Sequence, residues 1–477
     1  MPHESVMTSE LDFGKPQEAC GVVGIFGDNR STNVASLCYL GLYALQHRGQ
    51  ESAGMVTSDG KNLWLDKGPG LVPDVFNQEH IDRLPGHAAI GHVRLATDKD
   101  RHVVNTQPLV VRSTFGSLAI AQNGSLVNGG DLKKGLLDAG AVLQTDTDSE
   151  IVLNLIAKSK QKDLPGAVAE ILKLLKGAYA LVILSENMLL AARDPLGNRP
   201  LSLGRLDEGY IVASESCAVA NLGGELLREV QPGELLVLDQ SGYYTHTLLP
   251  SDRKALCAFE HIYFARPDSR LGGQNAYLVR KAIGRELALE SVVEADVVIG
   301  APDSGISPAL GFAEAAGIPF ETGVIKNRYV GRAFLQPTQA RRDLTVRIKL
   351  NPIAEVLDGK RVAVIDDSIV RGTTSGKLIG LLREAGAREV HMYVASPPYR
   401  YPCFYGIEPS SKNELVARGR TVEELRSFIG ANSLQYVSLE GLARALEIPK
   451  EELCLACFTG DYPVSATDGC KKASKRL

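Results

Sequence analysis

RVAVIDDSIVRGTTSG, residues 361–376, opens as a buried strand, reaches two adjacent carboxylates, Asp366 and Asp367, and continues as a loop of small and hydroxyl residues leading into a helix. The backbone N–H groups of such a loop, with a helix N-terminus behind them, form an anion site. Ser368, Thr373 and Thr374 can add hydroxyl donors. It is not a nucleoside-triphosphate P-loop, which needs four residues between its glycines and a Ser or Thr after the Lys. Here Gly372 and Gly376 enclose three residues, and Lys377 is followed by Leu378. Paired carboxylates beside a phosphate cradle would repel phosphate unless they bind something else, such as sugar hydroxyls or Mg²⁺. The alternative for an isolated Asp-Asp is a solvated turn capped by Asp366.

Outward from this stretch the pattern repeats. ADVVIG (295–300) leads into APDSG (301–305) and ISPALGFAEAAG (306–317), and KLIGLLREAGA (377–387) leads into EVHMYVAS (389–396). Strand, loop, helix and strand in this order make a parallel α/β domain. Thr421 and Glu424 have capping-box spacing before LRSFI and predict a late helix. Residues 20–239 read differently, as short strands such as CGVVGIFG, HAAIGHVRLAT, SLAIAQNGSL and AYALVILSE. Their short connections predict antiparallel pairing, with helices near Asn33–Leu45 and Ser149–Lys158. This half is α+β, and the change of rhythm puts a domain boundary near residues 245–256.

The chain has 477 residues, 52 basic and 56 acidic, for a formal charge of −4, with 44% hydrophobic and 23% charged residues. That balance lacks a basic nucleic-acid footprint. Its apolar runs fall far below the roughly 20 residues of a membrane span. Residues 1–19 have neither the basic start nor the apolar centre of a secretory signal and are too acidic for an intact transit peptide. The expectation is a cytoplasmic protein, or a plastid-stromal one whose transit peptide has been removed. Its eight cysteines are then reduced thiols, metal ligands or catalysts. Cys38 and Cys217 read as small buried hydrophobes, and Cys470, in a polar tail, has no evident role.

EACGVVGIFG places Cys20 at a strand edge, followed in order by QHRGQESAG (46–54), GHVRLAT (91–97), QNGSL (122–126) and TDTDSE (145–150). Together these resemble the N-terminal-nucleophile (Ntn) glutamine amidotransferases, which implies a four-layer αββα fold over residues 20–250. In that family the mature chain starts at the catalytic cysteine, so residues 1–19 would be a propeptide. A free α-amine, with a pKa of about 7.7–8.0, can take the thiol proton, and an amide nitrogen cannot. The resemblance implies Cys20 as nucleophile, Asn123 and the Gly124 backbone as oxyanion hole, and Arg94 and Asp148 as partners of the glutamine α-carboxylate and α-ammonium. It implies that Arg48 helps to order the glutamine loop.

The 361–376 stretch resembles the phosphoribosyl-pyrophosphate (PRPP) signature of type I phosphoribosyltransferases, which implies that domain over residues 251–477. By that likeness Asp366 and Asp367 hold ribose hydroxyls and Mg²⁺, with Ser304 near the metal. Ser368, Arg371, Gly372, Thr373 and Thr374 hold the 5-phosphate, and Lys326, Arg328, Tyr329 and Arg332 lie in a cationic lid.

Both halves on one chain resemble the amidophosphoribosyltransferases, enzymes of purine synthesis. Cys454-Leu-Ala-Cys457 alone could be a metal site, a redox pair or coincidence. In the propeptide-bearing subclass, cysteines at 257, 403, 454 and 457 hold a [4Fe-4S] cluster, although thiolates suit zinc equally. The likeness also implies glutamine and PRPP as substrates, purine nucleotides (AMP, GMP, ADP, GDP) as feedback inhibitors, a homotetramer, and neither nucleic acid nor membrane as partner. Two rivals fail on sequence: a sugar-isomerase partner domain lacks VIDDSIVRGTT, and a PRPP-binding transcriptional regulator needs a DNA-binding module.

Overall fold

The structure is a computed structural model that describes residues 17–18, 20–27, 33–95, 102–207, 209–291, 293–327, 349–408 and 415–465. Within Gly21–Gly27, Val22 and Phe26 point to one face and Val23 and Ile25 to the other, all of them buried. A strand apolar on both faces needs cover on both. The first face packs against a second sheet through Val182, Leu184, Leu189 and Leu236. The second packs under the helix Val34–Ala44 through Cys38 and Leu42. The result is helix, sheet, sheet, helix, the four-layer arrangement expected.

The first sheet has seven antiparallel strands, with Gly21–Gly27 central between Gly209–Ala213 and Ala88–Arg94. The second has six, with Gly116–Leu126 paired to Gly177–Leu184. Its outer face is covered by Asp148–Lys158 and Leu164–Leu172. Thr147 and Asp163 cap these two helices by accepting the Glu150 and Gly166 N–H groups. Gly242–Leu248 is an edge strand of this sheet, whereas Leu256–Cys257 pairs with Leu453–Cys454.

The C-terminal half is built on four parallel strands in the order Val297–Gly300, Arg361–Asp366, Glu389–Val394, Ser433–Tyr436. Val362 and Val364 face the helix Thr373–Glu384. Ala363 and Ile365 face the helices Ala276–Glu290 and Ile306–Ala316. Thr421 and Glu424 form the expected capping box on Val422–Ile429. Among the described residues no helix is long and apolar enough to cross a membrane.

Ala276–Glu290 and Ile306–Ala316 touch backbone to backbone. A Cβ on Gly284 would stand 1.8 Å from the Pro308 carbonyl oxygen, and one on Gly311 1.8 Å from that of Lys281. Gly284→Ala gains about 1 kcal/mol of helix propensity but forces the helices apart, an overpacking cost of about 1–3 kcal/mol or more. The clash wins: chemical denaturation of Gly284→Ala should show a net loss of stability, and a gain would contradict this packing.

Candidate functional site: two centres joined by a buried charge network

Gly21 pairs with Val93, so Cys20 and Arg94 lie side by side at one end of the first sheet. Cys20 is 8% exposed and has φ +104°, a region that side-chain-bearing residues seldom adopt. Its N–H donates to the Arg48 carbonyl at 3.3 Å, and its own carbonyl accepts from Arg48 Nε at 3.2 Å. Arg48 therefore grips the Cys20 backbone from both ends. Its fully buried guanidinium is ion-paired with Glu215 at 2.5 Å and with Glu260 at 2.8 Å. Glu260 also meets Arg199 at 3.3 Å. Arg48 turns into the protein and fixes the Cys20 backbone, because two buried carboxylates hold it there.

Asn123, on Gly116–Leu126, is fully buried, and among the described residues neither its amide nitrogen nor its oxygen has a hydrogen-bond partner. Buried amides are almost always bonded, so an idle one marks a place where something else binds. The peptide before it is held firmly. His92 Nε2 lies 3.0 Å from the Gln122 carbonyl, and Gln107 Oε1 accepts the Gln122 N–H at 2.9 Å and the Ser149 hydroxyl at 2.8 Å. Burial pushes His92 down to about 3, so it works as a neutral donor.

Gly124, at φ +107°, would carry a Cβ 2.2 Å from the Ala178 carbonyl. From the other half, Gly406 presses on it: a Cβ there would lie 3.0 Å from Gly124 Cα. A Cβ on Gly124 would also lie 3.1 Å from Arg199 Cγ, and Arg199 shares Glu260 with Arg48, so the Gly124 strand and Cys20 flank one network. Asp148 begins Asp148–Lys158 and accepts the Leu126 N–H at 2.8 Å and the Ser125 hydroxyl at 3.4 Å, which ties it to the same strand end. Sequence reading missed Glu215, Glu260, Arg199, His92 and Gln107.

In the second centre the loops after two adjacent parallel strands, Val297–Gly300 and Arg361–Asp366, come together at their carboxyl ends, where α/β sheets bind ligands. Ser304 donates to Asp367 at 2.5 Å, and Ser368 donates to its other oxygen at 2.6 Å. Asp366 and Asp367 are 4% and 1% exposed, which excludes a solvated turn. Gly372, at φ +75°, stands at the N-cap of Thr373–Glu384 and offers no side-chain cap, so Thr373 and Thr374 lie in an open first turn. Arg371 precedes it and is exposed. Lys326 pairs with Asp303 at 3.1 Å. Arg328, Tyr329 and Arg332 lie outside the described residues. Two buried carboxylates with a hydroxyl between adjacent loops are hard oxygen donors suited to Mg²⁺.

Cys257 and Cys454 stand opposite each other in a parallel strand pair, and Cys457 follows in the Ala456–Thr459 turn of helix. Cys403 packs in the same apolar cluster as Cys454. All four are free thiols. Burial, and for Cys257 its neighbours Glu260 and Cys403, push Cys257 up to about 11, and Cys454 and Cys457 are raised by burial and by the other cysteines. Four such sulfurs could ionise together only around a cation. Among the described residues no group of three His, Cys, Asp or Glu side chains is placed to hold a metal ion. Thiolates at four positions are donors that suit an iron-sulfur cluster and zinc alike.

Residues 92–221 match the family model for a glutamine amidotransferase domain. The chain is 48% identical to amidophosphoribosyltransferase of Bacillus subtilis, covering 94% of each chain. It is 46% identical to the amidophosphoribosyltransferase of Methanocaldococcus jannaschii, covering 93% of this chain and 97% of that one. It superposes on the Bacillus subtilis glutamine PRPP amidotransferase solved with ADP and GMP with a TM-score of 0.89 at 48% identity, covering 94% of this chain and 98% of that one. With an antiparallel four-layer half and a parallel half joined as in these enzymes, and this identity over nearly its whole length, the chain belongs to the amidophosphoribosyltransferase family.

Proposed function

We propose that the chain hydrolyses glutamine at Cys20 and passes the ammonia inside the protein to PRPP. The overall reaction is glutamine + PRPP + water to 5-phosphoribosylamine, glutamate and pyrophosphate, the first committed step of purine synthesis. The observation that carries the glutaminase half is the buried, idle amide of Asn123.

In this reading residues 1–19 are removed and the freed Cys20 α-amine, kept in place by the Arg48 carbonyl, takes the thiol proton. The thiolate attacks the glutamine side-chain amide. The Asn123 amide and Gly124 N–H receive the oxyanion, a bond made only as charge develops. Ammonia leaves with the returned proton, and water then releases glutamate from the thioester. Arg94 and Asp148 recognise the two ends of the amino acid, so a bare amide is a poor substrate. Ammonia stays in the protein because in water near pH 7 it would mostly become non-nucleophilic ammonium.

At the second centre Asp366 and Asp367 orient the ribose, and the 368–374 loop and helix N-terminus hold the 5-phosphate. Ser304, Asp366 and Asp367 would hold Mg²⁺, which when bound offsets charge on the departing pyrophosphate. Lys326 adds positive charge at the same edge, with Tyr329 and Arg332 in the proposed lid. Cys257, Cys403, Cys454 and Cys457 would hold a [4Fe-4S] cluster with a structural role, since neither half-reaction moves electrons. Regulation by purine nucleotides is supported by the relative solved with ADP and GMP, and a homotetramer is part of the same reading.

Cys20→Ala should abolish glutamine-dependent synthesis and leave ammonia-dependent synthesis at alkaline pH near the parent rate; loss of both would show that Cys20 is structural. Asn123→Ala should cut kcat for glutamine hydrolysis by about 10²–10³ with little change in KM. An unchanged kcat would remove Asn123 from the oxyanion hole. For protein purified anaerobically, the denatured mass should correspond to a chain starting at Cys20, with four iron and four sulfide per native chain. A full-length, metal-free chain that reconstitution leaves unchanged would end both the propeptide and the cluster assignments.

A further inference from the structure

The glutaminase reading leaves one buried acid unused. Glu215 follows the strand Gly209–Ala213, is fully buried, and lies in none of the motifs that carry the family likeness. One of its oxygens receives His47 at 2.7 Å and Arg48 at 2.5 Å. The other receives the Arg266 backbone N–H at 2.9 Å and the Ser269 hydroxyl at 2.6 Å. The first pair belongs to the N-terminal half, the second to the C-terminal half. Burial alone would raise the carboxyl's pKa; His47, Arg48 and Ser269 outweigh it and hold it well below the usual range.

The contacts continue in both directions. From Arg48, Nε reaches the Cys20 carbonyl at 3.2 Å. From Arg266 N–H, the same peptide's carbonyl, that of Ala265, accepts from Arg280 Nη2 at 2.6 Å. Arg280 is 4% exposed, its Nε donates to the His261 carbonyl at 2.9 Å, and the acid whose field acts on it most is Asp367 of the PRPP centre.

We infer that Glu215 is a positioning residue for the thiol nucleophile, and that the Arg266–Ser269 loop of the phosphoribosyltransferase half completes its setting. This rests on the reading of Cys20 as the glutaminase nucleophile. The geometry explains why a carboxylate is needed. Both oxygens must accept, one toward each half, and a glutamine side chain would turn an N–H₂ group against either Arg48 or Arg266 N–H. Arg48 would then lose its bond to Glu215, and its Nε would shift from the Cys20 carbonyl. Arg94 and Asp148 are not among Glu215's bonding partners, so glutamine binding is unaffected and only the turnover step suffers.

The test uses full-length enzyme with maturation checked by intact mass, and measures glutamine hydrolysis beside ammonia-dependent PRPP amination. Glu215→Gln should lower kcat for glutamine at least about tenfold, as expected when a reacting group is displaced by a fraction of an ångström. KM for glutamine should stay within about twofold, and ammonia-dependent synthesis should remain near the parent rate. Ser269→Ala, which keeps every charge and removes one bond from the other half, should lower the same kcat about threefold. A parent-level kcat in Glu215→Gln, or equal loss of both activities, would overturn the inference. If Glu215→Gln fails to mature, parent-level hydrolysis in Ser269→Ala overturns it. A parent enzyme that does not hydrolyse glutamine would instead overturn the underlying reading.

Discussion

The molecule depends on a buried guanidinium. Arg48 lies between Glu215, from the antiparallel half, and Glu260, from the parallel half, with none of its side chain exposed. Isolated charges in such surroundings are very costly, and removing one partner of a buried pair costs about 3–5 kcal/mol because it strands the other. Arg199 supplies a second cation for Glu260. Parting the halves breaks the Arg48–Glu260 pair, which joins one half to the other. The same guanidinium holds the backbone of Cys20, so the contacts that dock the halves also position that cysteine.

Close backbone approach does for the strand carrying Asn123 and Gly124 what charge does for Cys20. Gly124 is pinned between the Ala178 carbonyl and Gly406, and no side chain fits at either glycine. Gly406 lies three residues after Cys403, whose sulfur accepts the Tyr405 N–H at 3.3 Å. Cys257 lies three residues before Glu260, so the cysteine set borders both the charge network and the strand that carries Asn123 and Gly124. A rigid group held by those four sulfurs would stiffen the interface between the halves without any redox role. Gln17–Glu18, just ahead of Cys20, pairs with Ile407–Glu408 in this same region, so the segment ahead of Cys20 is anchored by the other half.

Much of the fold was legible because its signals are local. The alternation of Val22 and Phe26 against Val23 and Ile25 declares a strand between two layers, and 361–376 carries its strand, carboxylates and phosphate loop in sixteen consecutive residues. Asn123, Asp148 and Asp366 stand out in the sequence for the same reason, each within a short local motif. What escaped acts at long range. Glu260 is 212 residues from Arg48, Glu215 is 167, and Gly406 meets Gly124 from the other domain. An isolated Glu in a strand-turn segment looks like any surface acid until its partners are known. Arg48 was found by its motif, but QHRGQ does not reveal that two distant acids will draw its side chain inward.

The central claim is that two centres in one chain exchange ammonia without releasing it. The direct measurement is synthesis from glutamine labelled with ¹⁵N at the side-chain amide, in excess unlabelled ammonium near pH 7, with the amine product trapped and its isotope content read by mass spectrometry. The account predicts product carrying the amide ¹⁵N almost undiluted, with one glutamate formed per pyrophosphate. Product whose label is diluted to the isotope ratio of the surrounding ammonium would contradict it, because the ammonia would then have passed through solution.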